Sequence, residues 1–380
     1  MRYDAIVIGC GLAGAVCARE LAERGEKKVL LLERRNHVGG NAYDVADEAG
    51  ILIHKYGPHI FHTNDERVYK YLCRFTDFSD YMHEVTANIY GEFVPVPFNY
   101  NSIKKVFGER ADGLMKKLTS KYPDGAKIPI YELTVQDDPE LCELAEYVFK
   151  NVFAYYTEKQ WGVPIGNVSK ETLSRVPVFL SYDNRYFQDK FQGMPKDGYT
   201  KMFERMLDHP NIEIRTGVDA AECMKFGDGE IFFAGEAFSG EVVFSGAIDE
   251  LFAYEFGKLP YRTLDFVFET YEQDSFQPNA TVNYTVDQPY TRITEFKKLT
   301  GQVSPGVTTV MKEYSRASEE GDTPYYAILN EENLALYAKY VERASEYKNF
   351  YLLGRLAEYR YYNMDAIVAR ALELCDGLIK

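Results

Sequence analysis

The stretch DAIVIGCGLAGAVCARELAERG, residues 4–25, sets the architecture of the N-terminal part of the chain. Residues 5–8 form a short, continuous apolar run, which is typical of a strand buried on both faces of a parallel sheet. The apolar spacing that follows, from Val16 to Leu21, predicts a helix. A second apolar run, KVLLLE at residues 28–33, predicts the next strand. This part of the chain is therefore predicted to be a βαβ unit.

Glycines fill the turn between the first strand and the helix. Gly9, Gly11 and Gly14 stand as GxGxxG, a pattern that permits a tight turn, close approach of a pyrophosphate and packing of the helix on the sheet. Glu33 ends the second strand, where a carboxylate accepts hydrogen bonds from both ribose hydroxyls. The glycines alone would also suit an ordinary strand–helix turn, but together with Glu33 they predict a bound dinucleotide with a free 2′-hydroxyl.

A second glycine pair distinguishes between the two common dinucleotides. In ERRNHVGGNA, residues 33–42, Gly39 and Gly40 would let the backbone lie along an extended cofactor, as expected of FAD enzymes. A simple glycine turn is the alternative, and it would leave Arg34 and Asn41 as solvated loop residues. We therefore expect FAD rather than NAD.

Composition excludes several classes of partner. A net charge of -15 makes it hard to build the basic face that nucleic-acid binding requires, so we expect no nucleic-acid partner. The chain has no apolar run near the roughly 20 residues of a membrane span and no basic leader, so we expect a cytoplasmic protein with no membrane partner. Six cysteines without a CxxC pair predict buried free thiols rather than a zinc site or a disulfide framework.

The pattern changes along the chain. At 380 residues, two or more compact units are expected. Residues 137–156 carry one apolar helical stripe, and we predict that this helix ends before YTEKQWG, residues 156–162, which would place Trp161 on a loop. Alternation between about residues 255 and 315 predicts antiparallel strands. The C-terminus again predicts strand, loop and helix.

We therefore predict an α/β fold with a Rossmann-like FAD-binding domain assembled from discontinuous segments, a helical insertion domain and an antiparallel β-sheet domain. The predicted boundaries are 1–78, 197–250 and 348–380 for the FAD-binding domain, 101–174 for the helical mobile-loop domain, and 79–100, 175–196 and 251–347 for the sheet domain.

Six motifs, in order and spread over almost the whole chain, carry a specific resemblance. They are ERRNHVGGNAYD (33–44), HKYGPHIFHTN (54–64), YTEKQWG (156–162), RVPV (175–178) with YDNRYFQDKFQGMPKDGYT (182–200), PYTRITEF (289–296) and GRLAEYRYYNMD (354–365). With these motifs the chain resembles the bacterial UDP-galactopyranose mutases.

The resemblance implies a FAD-dependent isomerase that interconverts UDP-galactopyranose and UDP-galactofuranose with no net redox. In that family the N5 atom of reduced FAD is the nucleophile at the anomeric carbon, and UDP leaves and returns. An FAD enzyme of the amine-oxidase type, which oxidises its substrate, shares the N-terminal signature and is the alternative. A non-catalytic module that binds flavin or nucleotide sugar is a third interpretation.

The resemblance also implies the residues that contact FAD. The predicted cofactor contacts are Gly9, Gly11, Gly14, Glu33, Arg34, Gly40, Asn41, His59, Ile60, Arg355, Tyr362, Asn363, Met364 and Ile367. Many family members have aspartate at the position of Asn363, so a role that needs a carboxylate there is not expected. The final helix should begin near this residue, and its N-terminal dipole would stabilise the anion of reduced flavin.

For catalysis and substrate binding, the resemblance implies arginines around the diphosphate and aromatic residues around the base. The predicted catalytic residues are Arg175, Arg292 and His62, with His62 on the flavin face. The predicted substrate contacts are Phe153, Tyr156, Thr157, Trp161, Arg175, Tyr186, Asn283, Arg292, Glu313, Tyr326 and Tyr361. Trp161 would lie on a mobile loop that closes over the nucleotide, with Gly162 and Gly166 as hinges. UDP and the two UDP-sugars are the expected ligands, and a homo-oligomer, a dimer or larger, is the expected assembly.

Overall fold

The fold was obtained as a computed structural model that describes residues 3–162, 177–319 and 321–379. Its strands are β1 (Ala5–Ile8), β2 (Val29–Glu33), β3 (Asp44–Ala46), β4 (Leu52–His54), β5 (Phe61–Thr63), β6 (Val85–Ile89), β7 (Glu92–Val96), β8 (Phe98–Asn99), β9 (Lys127–Pro129), β10 (Pro177–Phe179), β11 (Phe191–Gly193), β12 (Ile212–Thr216), β13 (Met224–Gly227), β14 (Glu230–Phe233), β15 (Glu236–Ala237), β16 (Glu241–Phe244), β17 (Tyr261–Tyr271), β18 (Thr281–Tyr284), β19 (Arg292–Glu295), β20 (Thr308–Ala317), β21 (Tyr326–Ala327) and β22 (Phe350–Leu352).

Helices connect these strands, and three short segments have other helical geometry. The α-helices are α1 (Leu12–Glu23), α2 (Glu66–Leu72), α3 (Tyr100–Phe107), α4 (Ala111–Lys121), α5 (Ile130–Thr134), α6 (Pro139–Val148), α7 (Tyr155–Trp161), α8 (Tyr199–Leu207), α9 (Ala220–Cys223), α10 (Ile248–Leu251), α11 (Phe296–Thr300), α12 (Glu331–Ser345) and α13 (Met364–Leu378). Gly40–Ala42 and Gly108–Arg110 are 3₁₀-helical, and Phe149–Ala154 is π-helical.

A parallel sheet lies at the centre of the N-terminal unit, in the strand order β12-β2-β1-β16-β22. All four strand pairs in it are parallel. Strand β1 is fully buried, as its apolar run predicts. Helices α1 and α13 pack in one apolar cluster against this sheet, and their contact buries Cys17 beside Cys375. Strands from three distant parts of the chain thus form one Rossmann-like sheet, which confirms the predicted α/β fold class.

The second large sheet has the order β21-β17-β20-β19-β18-β6-β7. Most of its neighbours are antiparallel, as the alternating pattern predicts, whereas β18 and β6 run parallel. Its register places Arg292 opposite Asn283 on one side and opposite Glu313 on the other. Because cross-strand neighbours share a face of the sheet, the register sets these three side chains in one row.

Helices α3 to α6 and the π-helical stretch that follows them share an apolar core with the strands β8 and β10. Either Asp137 or Asp138 is a candidate cap from the sequence, and it is Asp138 that caps α6, through bonds that its side chain accepts from the backbone N–H groups of Glu140 and Leu141. The prediction that this helix ends before residue 156 is wrong. The chain passes through one π-helical stretch and continues as α7 to Trp161, because the backbone bonding shifts register without breaking.

Three further sequence expectations have different outcomes. The prediction that all cysteines are buried is wrong, because Cys73 is exposed and Cys142 and Cys223 are half-buried on their short helices. In the described part of the chain, no helix is both long and apolar enough to cross a bilayer. The residue boundaries of the three domains stay a prediction.

Candidate functional site

A cavity of about 320 Å³ opens at the carboxyl ends of β1, β2 and β16. This edge is where open parallel sheets bind their ligands. Every predicted cofactor residue except Gly14 and Ile60 lines it. The lining also includes Cys10, Gly39, Val218, Ala220, Ser245, Leu251 and Tyr325. One elongated cleft therefore gathers side chains from both ends of the chain.

The three glycines of the first turn are there for different steric reasons. Gly9 has φ +96°, and a Cβ on it would lie 2.2 Å from the hydroxyl of Ser245. A Cβ on Gly14 would lie 1.9 Å from the carbonyl oxygen of Gly9, which explains why Gly14 supports the turn from behind rather than lining the cavity. A Cβ on Gly11 would meet only the Cα of Gly40, at 3.9 Å. Gly11 thus leaves its space open toward the cavity.

Glu33 ends β2 inside this cleft and is 6% exposed. Its Oε2 accepts a bond from the backbone N–H of Cys10 at 2.7 Å, and its Oε1 accepts from that of Arg35 at 2.9 Å. These bonds fix the orientation of the carboxylate, which keeps further lone pairs for a ligand hydroxyl. Arg34 lies beside it in the lining and pairs with Glu250 at 2.9 Å.

The other end of the cavity lies at the start of α13. Asn363 is the N-cap residue of this helix, and its side chain makes no capping bond to the first turn. The guanidinium of Arg355 donates to the carbonyl of Tyr362 and thereby holds the segment before the helix. His59 also lines the cavity, and burial lowers its pKa to about 3, so this imidazole stays neutral.

The residues present fit a dinucleotide such as FAD. The glycine turn lets the backbone line the cleft closely, and the carboxylate of Glu33 is held in one orientation. Helices α1 and α13 both begin at the wall of the cleft. Helix N-termini favour anionic groups, so the starts of α1 and α13 suit a pyrophosphate and a flavin anion. Sequence reasoning did not predict that Val218 and Ala220 line the cleft. They reach it because β12, which precedes them, pairs with β2.

A second cluster surrounds Arg292 on the antiparallel sheet. Its Nε lies 3.2 Å from Oε1 of Glu313, which is 2% exposed, although the N–H is not well aligned for a hydrogen bond. Its Nη2 donates to the hydroxyl of Tyr156 at 3.2 Å. Burial lowers the pKa of Arg292, but Glu313 and the neighbouring phenols outweigh this effect and raise it. The guanidinium is therefore a fixed positive charge.

Tyrosine hydroxyls gather around this charge. Tyr156, Tyr186 and Tyr326 all lie close enough to Arg292 to interact electrostatically with it. Burial raises the pKa of each of these phenols, to about 12 for Tyr326, so all three stay protonated and can donate. One guanidinium and several hydroxyl donors suit the oxygens of a phosphate group.

Two further aromatic residues join this cluster to the cavity. The rings of Tyr326 and Tyr361 lie 6.2 Å apart and nearly parallel. The Cζ atom of Arg355, which lines the cavity, lies 4.9 Å from the ring centre of Tyr361 and 5.7 Å from that of Tyr326. The predicted cofactor and substrate residues therefore meet at Arg355.

Helix α7 and the π-helical stretch before it lie at this site. Tyr156 on α7 reaches Arg292, whereas Phe153 and Thr157 are buried. The end of α7 is held by the sheet, because Arg262 and the hydroxyl of Ser315 donate to its terminal carbonyls. Sequence reasoning did not single out Arg262.

His62 lies on β5 and stacks on Phe187, with ring centres 3.6 Å apart. Its Nδ1 is 3.0 Å from Oδ2 of Asp189. His83, which sequence reasoning missed, also packs against Phe187. Burial lowers the pKa of His83 to about 3. Arg292 and His62 both lie close enough to lower its pKa electrostatically as well. No sequence motif marks His83, which lies two residues before β6.

The predicted lid and one of the two predicted arginines fall mostly outside the described residues. Arg175, Gly166 and the side chain of Trp161 lie outside the described residues. Gly162 follows α7 in the left-handed region, with φ +68°. Asn283 is buried and stands in the same cross-strand row as Arg292.

Comparisons with known proteins identify relatives over the whole length. Residues 151–361 match the UDP-galactopyranose mutase family, and residues 7–75 match the NAD(P)-binding Rossmann-like domain. The chain is 37% identical to the probable UDP-galactopyranose mutase of Klebsiella pneumoniae, over 98% of this chain and 94% of the relative. It is also 37% identical to the dTDP-fucopyranose mutase of Escherichia coli, over 99% and 98%.

A solved structure agrees with the fold. A reduced UDP-galactopyranose mutase superposes with a TM-score of 0.68 at 17% identity, over 100% of this chain and 94% of that one. At that identity, the likeness shows the shared architecture.

Proposed function

The chain belongs to the UDP-galactopyranose mutase family and is an isomerase, and from this premise we propose that it interconverts UDP-galactopyranose and UDP-galactofuranose. One observation carries the proposal. Arg292 and its ring of tyrosine hydroxyls stand beside the dinucleotide-type cavity and are joined to it through Arg355. This arrangement brings a diphosphate site next to a cofactor site.

FAD is the proposed cofactor, held by the glycine turn, Glu33 and the start of α13. When bound and reduced, it supplies the nucleophile at the anomeric carbon of the sugar and is regenerated, so the reaction has no net redox. Family membership favours this isomerisation over the amine-oxidase alternative, which would consume an electron acceptor.

Arg292 binds the diphosphate and stabilises the charge that grows on UDP as the glycosidic bond breaks. The hydroxyls of Tyr186 and Tyr326 donate to the same oxygens, because both phenols stay protonated. Glu313 orients Arg292 and offsets part of its charge. This limits how tightly the site holds UDP, so UDP can bond to the sugar again.

The base is proposed to lie against Tyr156, whose hydroxyl is already tied to Arg292. Stacking on one ring contributes about 1–3 kcal/mol in general. Phe153 lies in the helical core, so its part in this slot would be to support Tyr156 from behind. Asn283 and Thr157 remain proposed substrate contacts.

Closure over the nucleotide belongs to the same proposal. Trp161 would cover the nucleotide, Arg175 would contact the diphosphate, and Gly162 and Gly166 would act as hinges. The anchoring of α7 by Arg262 supports a fixed base from which a loop can move. The proposed assembly as a dimer or larger homo-oligomer rests on the family resemblance, and the proposed cytoplasmic location rests on the sequence composition.

The test is turnover by purified protein with UDP-galactofuranose, with and without dithionite. We expect UDP-galactopyranose only from reduced protein that carries FAD. Because a relative acts on dTDP-fucopyranose, the dTDP-sugar is assayed in parallel. Preference for it would contradict the UDP-sugar assignment, and oxygen uptake in place of isomerisation would favour the oxidase.

A further inference from the structure

His62 is held at Nδ1. This atom lies 3.0 Å from Oδ2 of Asp189, and the ring stacks on Phe187. Nε2 makes no hydrogen bond with any of the described residues. The imidazole therefore presents Nε2 as its available nitrogen.

Asp189 decides what that nitrogen can do. An ionised carboxylate only accepts hydrogen bonds, so a bond to Nδ1 requires the proton to be on Nδ1. A neutral imidazole carries one proton, and Nε2 is then a hydrogen-bond acceptor. Without a carboxylate, nothing among the described neighbours would select this tautomer.

His62 lies beside the aromatic residues that border the proposed diphosphate site. Phe187, on which it stacks, also packs against His83 and Tyr186. Tyr186 in turn is one of the phenols around Arg292. One layer of aromatic rings thus separates His62 from the proposed diphosphate site.

On this basis, and resting on the proposed function, we infer that Asp189 is a positioning residue that fixes His62 as the Nδ1–H tautomer and makes Nε2 a hydrogen-bond acceptor at the reacting centre. Nε2 then accepts a bond from a donor on the substrate or the reduced cofactor. It cannot donate to a carbonyl in this form.

Asn64 makes the inference testable. The backbone N–H of Lys190 donates to Oδ1 of Asn64 at 2.9 Å, so the amide nitrogen of Asn64 must face Asp189, to which it donates at 2.7 Å. Asp189 therefore accepts from two donors, Asn64 and His62. In Asp189→Asn an NH₂ group replaces one of the two oxygens, so only one of these two donors still faces an acceptor.

The new amide should turn its oxygen to Asn64, because Asn64 can offer only a donor. Its NH₂ then faces Nδ1 of His62, which must accept, and the proton moves to Nε2. Removing the competitor in Asp189→Asn/Asn64→Ala frees the amide to rotate, so that either its oxygen or its NH₂ can face His62. The double variant should thus regain part of the original tautomer.

The experiment is ¹⁵N NMR of histidine-labelled, FAD-loaded protein, with the His62 signals assigned by their loss in His62→Gln. We expect Nδ1–H in the wild type and in Asn64→Ala, Nε2–H in Asp189→Asn, and a mixture of the two tautomers in the double variant. The kcat with UDP-galactofuranose should fall about 10- to 100-fold in Asp189→Asn with little change in KM, and should recover in part in the double variant.

Each outcome decides the inference. His62 protonated at Nε2 or at both nitrogens in the wild type would overturn it, and this measurement needs only the His62→Gln variant to fold. An unchanged tautomer in Asp189→Asn would also overturn it, as would equal impairment of the single and double variants, which a merely structural role predicts. Absence of mutase turnover in the wild type would instead count against the proposed function, because the tautomer is measured independently of turnover.

Discussion

Arg292 and Glu313 stand opposite each other on neighbouring strands β19 and β20, with Nε and Oε1 3.2 Å apart. Glu313 is 2% exposed, whereas a quarter of the Arg292 side chain remains accessible. The carboxylate is thus buried behind a guanidinium that stays partly accessible. The pair holds a positive charge in place at the site proposed for the diphosphate.

Loss of Arg292 should remove transition-state stabilisation and leave the cofactor bound. We expect Arg292→Ala to lower kcat/KM by a factor of about 10²–10³, the usual cost of removing a group that stabilises developing charge. The measurement is turnover by reduced protein, with FAD content read from absorbance. Arg316→Ala, at a surface ion pair on the same sheet, is the matched control and should retain activity. Near-full activity in Arg292→Ala would remove this residue from the site.

Loss of the Glu313 carboxylate should make the stability of the folded protein depend more on bound UDP. In Glu313→Gln the charge of Arg292 loses its partner, and we expect a destabilisation of roughly 1–3 kcal/mol, below the usual cost for a fully buried pair because Arg292 is partly exposed. Bound UDP supplies the missing negative charge, so UDP should raise the apparent Tm of this variant more than that of the wild type. Glu269→Gln, whose partner Lys312 lies on the same strand as Glu313, is the control. An equal UDP shift in all three proteins would contradict the assignment.

Two glycine substitutions should separate folding from cofactor binding. Gly14→Ala places a methyl group 1.9 Å from the carbonyl oxygen of Gly9, so we expect a large fall in Tm and little folded protein. Gly11→Ala has room within the protein, with its nearest atom 3.9 Å away, but its methyl group points to the cavity. We expect it to fold and to lose FAD. Full FAD occupancy in Gly11→Ala would show that the cofactor lies elsewhere.

Acid should destabilise the fold partly through His54, which is 1% exposed and has its pKa lowered to about 3 by burial. The unfolded chain binds a proton at this residue below about pH 6.5, whereas the folded protein does not. Its contribution is therefore present above pH 6.5 and is lost as the pH falls toward 3. His54→Asn keeps an acceptor for the backbone N–H of His59 and should flatten the dependence of Tm on pH between 6.5 and 5. An unchanged slope would contradict this.

Trp161 is the only tryptophan in the chain, so its fluorescence reports on one position. If it closes over the nucleotide, adding UDP should change the emission. The response should be lost in Arg292→Ala, which cannot hold the diphosphate, and should persist in Arg316→Ala. A signal that ignores UDP in the wild type would count against the lid.

Local patterns were enough to predict the first βαβ unit and the turn around Gly9, because steric rules at adjacent residues determine them. For the cap of α6 the local pattern left Asp137 and Asp138 as alternatives, and the structure uses Asp138. The continuation of α6 into α7 was missed, because a π-helical register shift leaves no apolar break to recognise. It changes the position of Trp161 from a loop to a helix end.

Residues that depend on pairing between distant strands were harder to predict. The motif containing Arg292 was found by resemblance, but its row with Asn283 and Glu313 follows from the sheet register. Val218 reaches the cavity only because β12 pairs with β2. Likewise, the contact of Asp189 with His62 depends on β5 pairing with β11, which no local pattern indicates.

The proposed reaction is a redox-neutral isomerisation by reduced flavin beside Arg292. The decisive measurement follows product and flavin absorbance together, under anaerobic conditions, after reduced protein is mixed with an excess of UDP-galactofuranose. We expect many equivalents of UDP-galactopyranose per flavin while the flavin stays reduced. No product, or flavin reoxidised in step with substrate loss, would contradict it.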